Sequence, residues 1–428
     1  MDQLFSLFYQ SSGVFTDSRN IVQGGLFIAL KGASFNGNLY AKDCIDKGAN
    51  YAIVDDKDFA DNKSIFFVND ALVFLQKLAN FHRRRFNIPI IGITGSNGKT
   101  TTKELIFEVL NSYYITHATK GNLNNHIGVP LTLLQLNSSH EFAIVEMGAN
   151  RPHDIAELCE IAEPTHALIT NIGSAHLEGF GDFEGVLRTK LELFDSVKNK
   201  NGVLFVNKDD QNLTSNLPEN MAVNYYSVTS ESELRGEVES LNPCLNFIWK
   251  QKEHDSNLVK TNLFGSYNLY NFLAAIRIGV CFNIPVQKIN KSLEDYVPSN
   301  NRSQITRTEK NTLLVDCYNA NPTSMQSALL SFAKTESNEK IAIIGDMLEL
   351  GEEAEQKHKE IIQLLNKLQI SYFTVGPIFQ KVLENRAIFK CSVTAELNEY
   401  LINYPLNNNF ILLKGSRGIA LEKLITLL

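Results

Sequence analysis

The chain has 428 residues, 44% of them apolar and 20% charged, with a formal net charge of −7. At about 150 residues per domain this corresponds to roughly three domains of ordinary globular composition, which excludes an extended disordered chain. The acidic balance excludes a globally basic nucleic-acid binder, so an anionic ligand needs a local cationic site.

No apolar run reaches about 18 residues, so no transmembrane helix is expected. The start, MDQLFSLFYQSSG, carries Asp2 where a signal peptide needs positive charge. Six cysteines are scattered without CxxC spacing and read as reduced, mostly buried thiols of a cytoplasmic protein. The histidines form no HExxH pair.

The first block runs to Phe86. It contains the strand-like runs Gly24–Leu30 and Asn50–Asp56, then an amphipathic helical pattern over Ala71–Phe86 that ends in HRRRF. That basic run reads as a solvated helix end whose cations oppose the dipole. The second block, 87–297, opens on IPIIGITG, a buried-strand run. A helix from Lys99 to about Tyr113 follows, then EFAIVEMG, HDIAELCEIA, HALITNIG, Gly185–Val197 and GVLFVN. Strand and helix alternate, as in a parallel sheet covered by helices. Residues Ala222–Phe264 are more β-rich, and Gly265–Phe282 is helical again.

The third block, 298–428, follows a hinge expected at Pro298. It alternates NTLLVD, the helix Thr323–Thr335, KIAIIGD, the helix Glu352–Leu368, ISYFTVG, FILLKGSRG and a closing helix to Leu428. The expected class is α/β. A central parallel-sheet domain of the P-loop ATPase type is flanked by a small N-terminal α/β domain and a C-terminal Rossmann-like domain.

The strongest local signal is Ile91–Thr101, IGITGSNGKTT. A strand enters and a helix leaves. Glycines let backbone N–H groups face oxyanions, and the helix start adds partial positive charge. In this reading Gly95, Ser96, Asn97, Gly98, Lys99, Thr100 and Thr101 bind phosphates. Lys99 reaches the β/γ-phosphates and the Thr100 hydroxyl ligates Mg²⁺. Ile93 occupies the first glycine position of the stricter motif, so the loop is the shorter GxxGKT form.

Two later strand ends offer metal donors, Glu146 after EFAIVEM and His176 after HALITNIG, because ligands gather at the carboxyl ends of parallel strands. Either residue is also compatible with a structural role. Lys190, in GVLRTKLELF, reads on spacing alone as a surface lysine.

These segments resemble the Mur ligases, ATP-dependent amide-forming enzymes of peptidoglycan precursor synthesis. TGSNGKTTTKE, KGNLNNHIGVPLTLL, VEMGANRPHDI and NIGSAHLEGFG with the lysine segment carry the resemblance. TDSRNIVQGGLFIALKGASFNGN, DCYNANPTS, GDMLELG and KGSRG point within the family to addition of D-alanyl-D-alanine to UDP-N-acetylmuramoyl-tripeptide. The resemblance covers nearly the whole chain, and the DNPR segment of a related activity is absent.

It implies ATP, two Mg²⁺ ions and a monomer acting in the cytoplasm, with no nucleic-acid or membrane partner. It implies Glu146, His176 and a carbamylated Lys190 as metal ligands, with Thr100 beside them. Asn268, Arg302 and Asp316 would hold the nucleotide; the family's His-Asn pair is Tyr267-Asn268 here. Ser18, Arg19 and Lys31 would meet the UDP part, Asn124 and Asn125 the muramoyl peptide, and Asn319 and Asn321 the dipeptide. No base for the amine stands out, and His126 is only one candidate. Folylpolyglutamate synthases are similar over the second and third blocks but lack the first and DCYNANPTS. A P-loop ATPase switch or a non-catalytic sugar-nucleotide sensor would not need the lysine segment.

Overall fold

The computed structural model describes residues 2–173, 177–251, 254–255, 257–337, 339–382 and 387–428. The N-terminal strands form a parallel sheet in the order Val14–Phe15, Leu26–Ile28, Tyr51–Val54, Ile65–Phe67. Its two inner strands are the apolar runs read from the sequence. They are almost continuously buried, as parallel strands covered on both faces must be.

The helix Ala71–Arg83 follows, with Asp70 accepting from the Val73 amide as its N-cap. Its apolar face, including Phe74, Leu75 and Leu78, shares one core with Val129, Leu133 and Leu158 of the next unit. The reading of HRRRF as a solvated end fails at Arg83, which is buried. Its guanidinium donates to the carbonyls of Ala162 and Glu163, 2.9 and 3.0 Å away. Asn80 donates to the carbonyls of Glu160 and Ile161. Together they satisfy the free carbonyls at the end of the helix Asp154–Ala162, fastening the first unit to the second.

The central sheet has six parallel strands in the order Ala222–Tyr226, Val203–Asn207, His166–Ile169, Ile90–Thr94, Phe142–Glu146, Thr116–Ala118. The strand that feeds the phosphate loop therefore lies inside the sheet, with Ile93 opposite Glu146.

The third sheet has a parallel part, in the order Thr312–Asp316, Phe410–Lys414, Lys340–Gly345, Ser371–Val375, Phe389–Cys391. Antiparallel strands Gln304–Arg307, Val259–Phe264, Cys244–Gln251 and Leu234–Leu241 extend it. The β-rich stretch 222–264 is thus divided. Its first strand closes the central sheet and the rest reaches the third sheet through Leu263 opposite Gln304.

The expected closing helix is absent. Ala420 sits at φ 58° between two short 3-10 turns, Arg417–Ile419 and Leu421–Leu424. That break lets Leu421, Leu424 and Leu428 all turn into the core beneath the sheet. The sequence pattern also fails to single out the helices Asp2–Tyr9, Val286–Asp295 and Thr394–Asn403.

Candidate active site

The carboxyl ends of the central strands open into a cleft of about 780 Å³, walled on its far side by the third unit. The phosphate loop forms its floor. Gly95 (φ 144°) and Gly98 (φ 79°) take backbone conformations that favour glycine. Side chains would not fit there either: a Cβ on Gly95 would lie 1.9 Å from the Thr170 hydroxyl, and one on Gly98 2.8 Å from Asn271 Oδ1. Gly98 caps the helix Lys99–Asn111 without a side chain, which leaves its first amides to a ligand. Lys99 folds back over the loop, Nζ donating to Gly95 O at 2.7 Å.

The other loop side chains have local duties. The Ser96 hydroxyl donates to Gly173 O and accepts from Gly173 N–H. Asn97 Oδ1 accepts from Asn321 Nδ2 at 2.7 Å, so the third unit rests on the loop. Thr101 is buried and lines the cleft.

Glu146 is the hub, 1% exposed. Its Oε1 accepts from the Thr100 hydroxyl at 3.1 Å and from Asn124 Nδ2 at 2.8 Å. Its Oε2 has no hydrogen-bond partner and lies 3.9 Å from Lys103 Nζ. Asn124 thus orients Glu146. Asn125 turns its Oδ1 to the Ile127 and Gly128 amides. His126 is exposed at the cleft rim.

Lys190, on the helix Phe183–Lys198, is 2% exposed, against the expectation from spacing. Its helix packs this face inward. Nζ lies 5.9 Å from the Phe180 ring centre and has no hydrogen-bond or ion-pair partner among the described residues. Burial, and then the charge of Lys99, hold this amine well below the usual lysine range. Burial likewise depresses Lys99, with Glu146 opposing and Arg302 adding to the effect. His176 lies outside the described residues.

Across the cleft, Asn268 donates to Phe264 O and accepts from Asn271 Nδ2, while Asn271 Oδ1 accepts from the Thr102 hydroxyl. These two asparagines are thereby tied to the helix Lys99–Asn111. Arg302 stacks on Tyr318, its guanidinium carbon 3.8 Å from the ring centre. Asp316 accepts from Lys414 Nζ at 2.6 Å and from the Ser303 amide at 3.0 Å. Asn319 lines the cleft, and Asn321 caps the helix Pro322–Lys334.

Sequence reasoning missed Lys103, Tyr318 and Lys414. Lys414 had a usable signal: it ends an apolar strand directly opposite Asp316 on the parallel neighbour. Ser18 and Arg19 line a separate, shallow pocket of about 490 Å³ on the first unit, whereas Lys31 lies outside that pocket and pairs with Asp55 at 2.9 Å.

Family models match the chain in three successive pieces. They are the Mur ligase family catalytic domain over residues 10–83, the Mur ligase middle domain over 93–279 and the Mur ligase glutamate ligase domain over 301–417. The chain is 32% identical over 426 residues to UDP-N-acetylmuramoyl-tripeptide--D-alanyl-D-alanine ligase of Bacillus subtilis (strain 168), covering 96% of this chain and 92% of that protein. It is similar to the crystal structure of MurF from Acinetobacter baumannii, with a TM-score of 0.88 and 28% identity over 99% of this chain and 97% of that one. It is also similar to MurF ligase from Thermotoga maritima in complex with ADP, with a TM-score of 0.87 and 27% identity over 98% of this chain and 97% of that one. Agreement at this level along nearly the whole length, in sequence and fold together, makes this chain a member of the Mur ligase family.

Proposed function

We propose that the cleft is where this ATP-dependent ligase joins D-alanyl-D-alanine to UDP-N-acetylmuramoyl-tripeptide, and that its three units divide the work as 1–86, 87–297 and 298–428. The observation that carries the reading is the Glu146 hub. A buried carboxylate oxygen without a hydrogen-bond partner sits next to a threonine hydroxyl at the start of a phosphate-loop helix. A carboxylate and a hydroxyl are the hard oxygen donors that fit Mg²⁺, so Thr100 and Glu146 would hold it, with His176 and Lys190 as further ligands. Bound there, Mg²⁺ supplies positive charge that offsets repulsion between a carboxylate and a triphosphate.

Lys190 has the chemistry for its part. Burial favours its neutral amine, the form that adds carbon dioxide by forming an N–C bond and losing one proton. The anion so formed would face Lys99, which already depresses the unmodified amine.

In the reaction, a terminal carboxylate oxygen of the tripeptide attacks the γ-phosphorus of ATP. The bond to the bridging oxygen breaks, ADP leaves and an acyl phosphate forms. The neutral amine of the dipeptide then attacks the acyl carbon, phosphate leaves and the amine gives up a proton. Lys99 and Arg302 stay with the transferred group, and fixed cations at such a site contribute several kcal/mol of transition-state stabilisation, roughly. Asn268 and Asp316 place the nucleotide, and Asn319 and Asn321 the dipeptide. Ser18, Arg19 and Lys31 anchor the UDP part far from the reacting atoms, and Asn124 and Asn125 line the path between.

Phosphate release is the test, with ATP, Mg²⁺ and UDP-N-acetylmuramoyl-tripeptide, with and without D-alanyl-D-alanine. Release that depends on the dipeptide is expected. Equal release in its absence contradicts the ligase reading and favours a simple ATPase.

A further inference from the structure

The segment 296–303, which leads from the second unit into the third, is held at both ends by residues to which no role has been given above. At one end Glu104, on the phosphate-loop helix, accepts from the Tyr296 hydroxyl at 2.6 Å through Oε2 and from Asn300 Nδ2 at 2.7 Å through Oε1. At the other end the Tyr267 hydroxyl shares a 2.8 Å hydrogen bond with the Ser303 hydroxyl. The Ser303 amide donates to Asp316, which Lys414 holds in turn. Arg302 lies between the two grips. Its neighbours Asn301 (φ 52°) and Ser303 (φ 48°) are both in the left-handed region. Serine rarely adopts that conformation unless its surroundings impose it. Arg302 lines the cleft with its Nε buried and without a hydrogen-bond partner.

We infer that Glu104 and Tyr267 are positioning residues: they clamp the linker so that Arg302 is presented to the terminal phosphate. Both clamps belong to nucleotide-binding elements. Glu104 lies five residues after Lys99 on the loop's own helix, and Tyr267 precedes Asn268. The linker therefore takes its position from the same parts that hold the nucleotide. This also gives a task to Tyr267, which stands where the family pattern has histidine: its longer side chain spans the gap to Ser303. The inference rests on the placement of ATP proposed above.

The test compares affinities for ADP and for an ATP analogue with a methylene group between the β- and γ-phosphorus, by titration calorimetry. An effect through Arg302 lowers the preference for the analogue over ADP. A loss of about tenfold is expected in Glu104→Ala, with smaller losses in Glu104→Gln, which retains one acceptor, and Tyr267→Phe. In an Arg302→Ala background these substitutions should add almost nothing, because they act through the residue already removed. Should Glu104→Ala not fold, Glu104→Gln and Tyr267→Phe carry the comparison. An unchanged preference in both, or losses that multiply in the Arg302→Ala background, overturns the inference. Dipeptide-dependent phosphate release by the unsubstituted protein is scored separately, so failure of the ligase reading and failure of the clamp are distinguishable.

Discussion

The phosphate-loop cleft and the shallow N-terminal pocket are built on opposite plans. Glu146 and Lys414, which line the cleft, and Lys190 are almost wholly removed from water, and Glu146 Oε1 and the Asp316 carboxylate each accept two hydrogen bonds. In the N-terminal pocket, the Arg19 side chain is 86% exposed and pairs with its near neighbour Asp17. Charges in a water-poor site act strongly and lose much when a partner is removed, whereas exposed pairs are screened and contribute little. In the proposed reading, that contrast would put chemistry at the buried end and anchoring at the wet one. The predictions at Lys190, Glu146 and Arg19 strain that division.

The largest effect is expected at Lys190. Lys190→Ala should lower kcat by about 10³-fold, the scale of losing a main electrostatic element. Added bicarbonate should not restore it, while small carboxylates such as acetate should restore part. Full activity of this variant removes Lys190 from the mechanism and breaks the comparison at its buried end. Glu146→Gln comes next. The amide oxygen can still accept from Thr100 and Asn124, so the fold should survive, but kcat should drop about 100-fold and the Mg²⁺ needed for half activity should rise. An unchanged Mg²⁺ dependence counts against Glu146 as a ligand.

At the wet end, Arg19→Ala should raise KM for the UDP substrate by about tenfold and leave kcat and the unfolding midpoint unchanged. A fall in kcat would show that the pocket takes part in the chemistry after all. The smallest effect concerns pH. Burial holds His166 down to about 4, its ring set between Phe205 and Phe282. The unfolded chain takes up a proton near 6.5 that the folded one refuses, so this contribution to stability is present above that pH and is lost as pH falls towards 4. His166→Phe should flatten the decline in urea midpoint between pH 7 and pH 5, and an equal decline in both proteins would contradict this.

Where a backbone requirement fixed the residue type, the sequence was readable. Gly95 and Gly98 are needed for their conformations, and the apolar runs ending at Thr94 and Glu146 mark buried parallel strands. Lys190 and Arg83 were misleading for one reason: a charged residue at a plausible surface position on a helix is buried only because another element covers it, and local spacing carries no record of that cover. The resemblance to a family, not spacing, singled out Lys190. The pairing of Asp316 with Lys414 joins residues 98 positions apart, and the rest of Asn321 on Asn97 spans 224. Such contacts depend on how whole units dock, which no window of sequence contains. The missing terminal helix shows the converse, since Leu421, Leu424 and Leu428 have helical spacing yet are buried after a break at Ala420.

The central claim is that the γ-phosphoryl of ATP passes to a peptide carboxylate before the amide forms. The direct measurement uses UDP-N-acetylmuramoyl-tripeptide with ¹⁸O in its terminal carboxylate, ATP and D-alanyl-D-alanine, and mass analysis of the released phosphate. One heavy oxygen from the peptide should appear in each phosphate. Phosphate without that oxygen, formed at the same rate as the amide, would contradict transfer through an acyl phosphate.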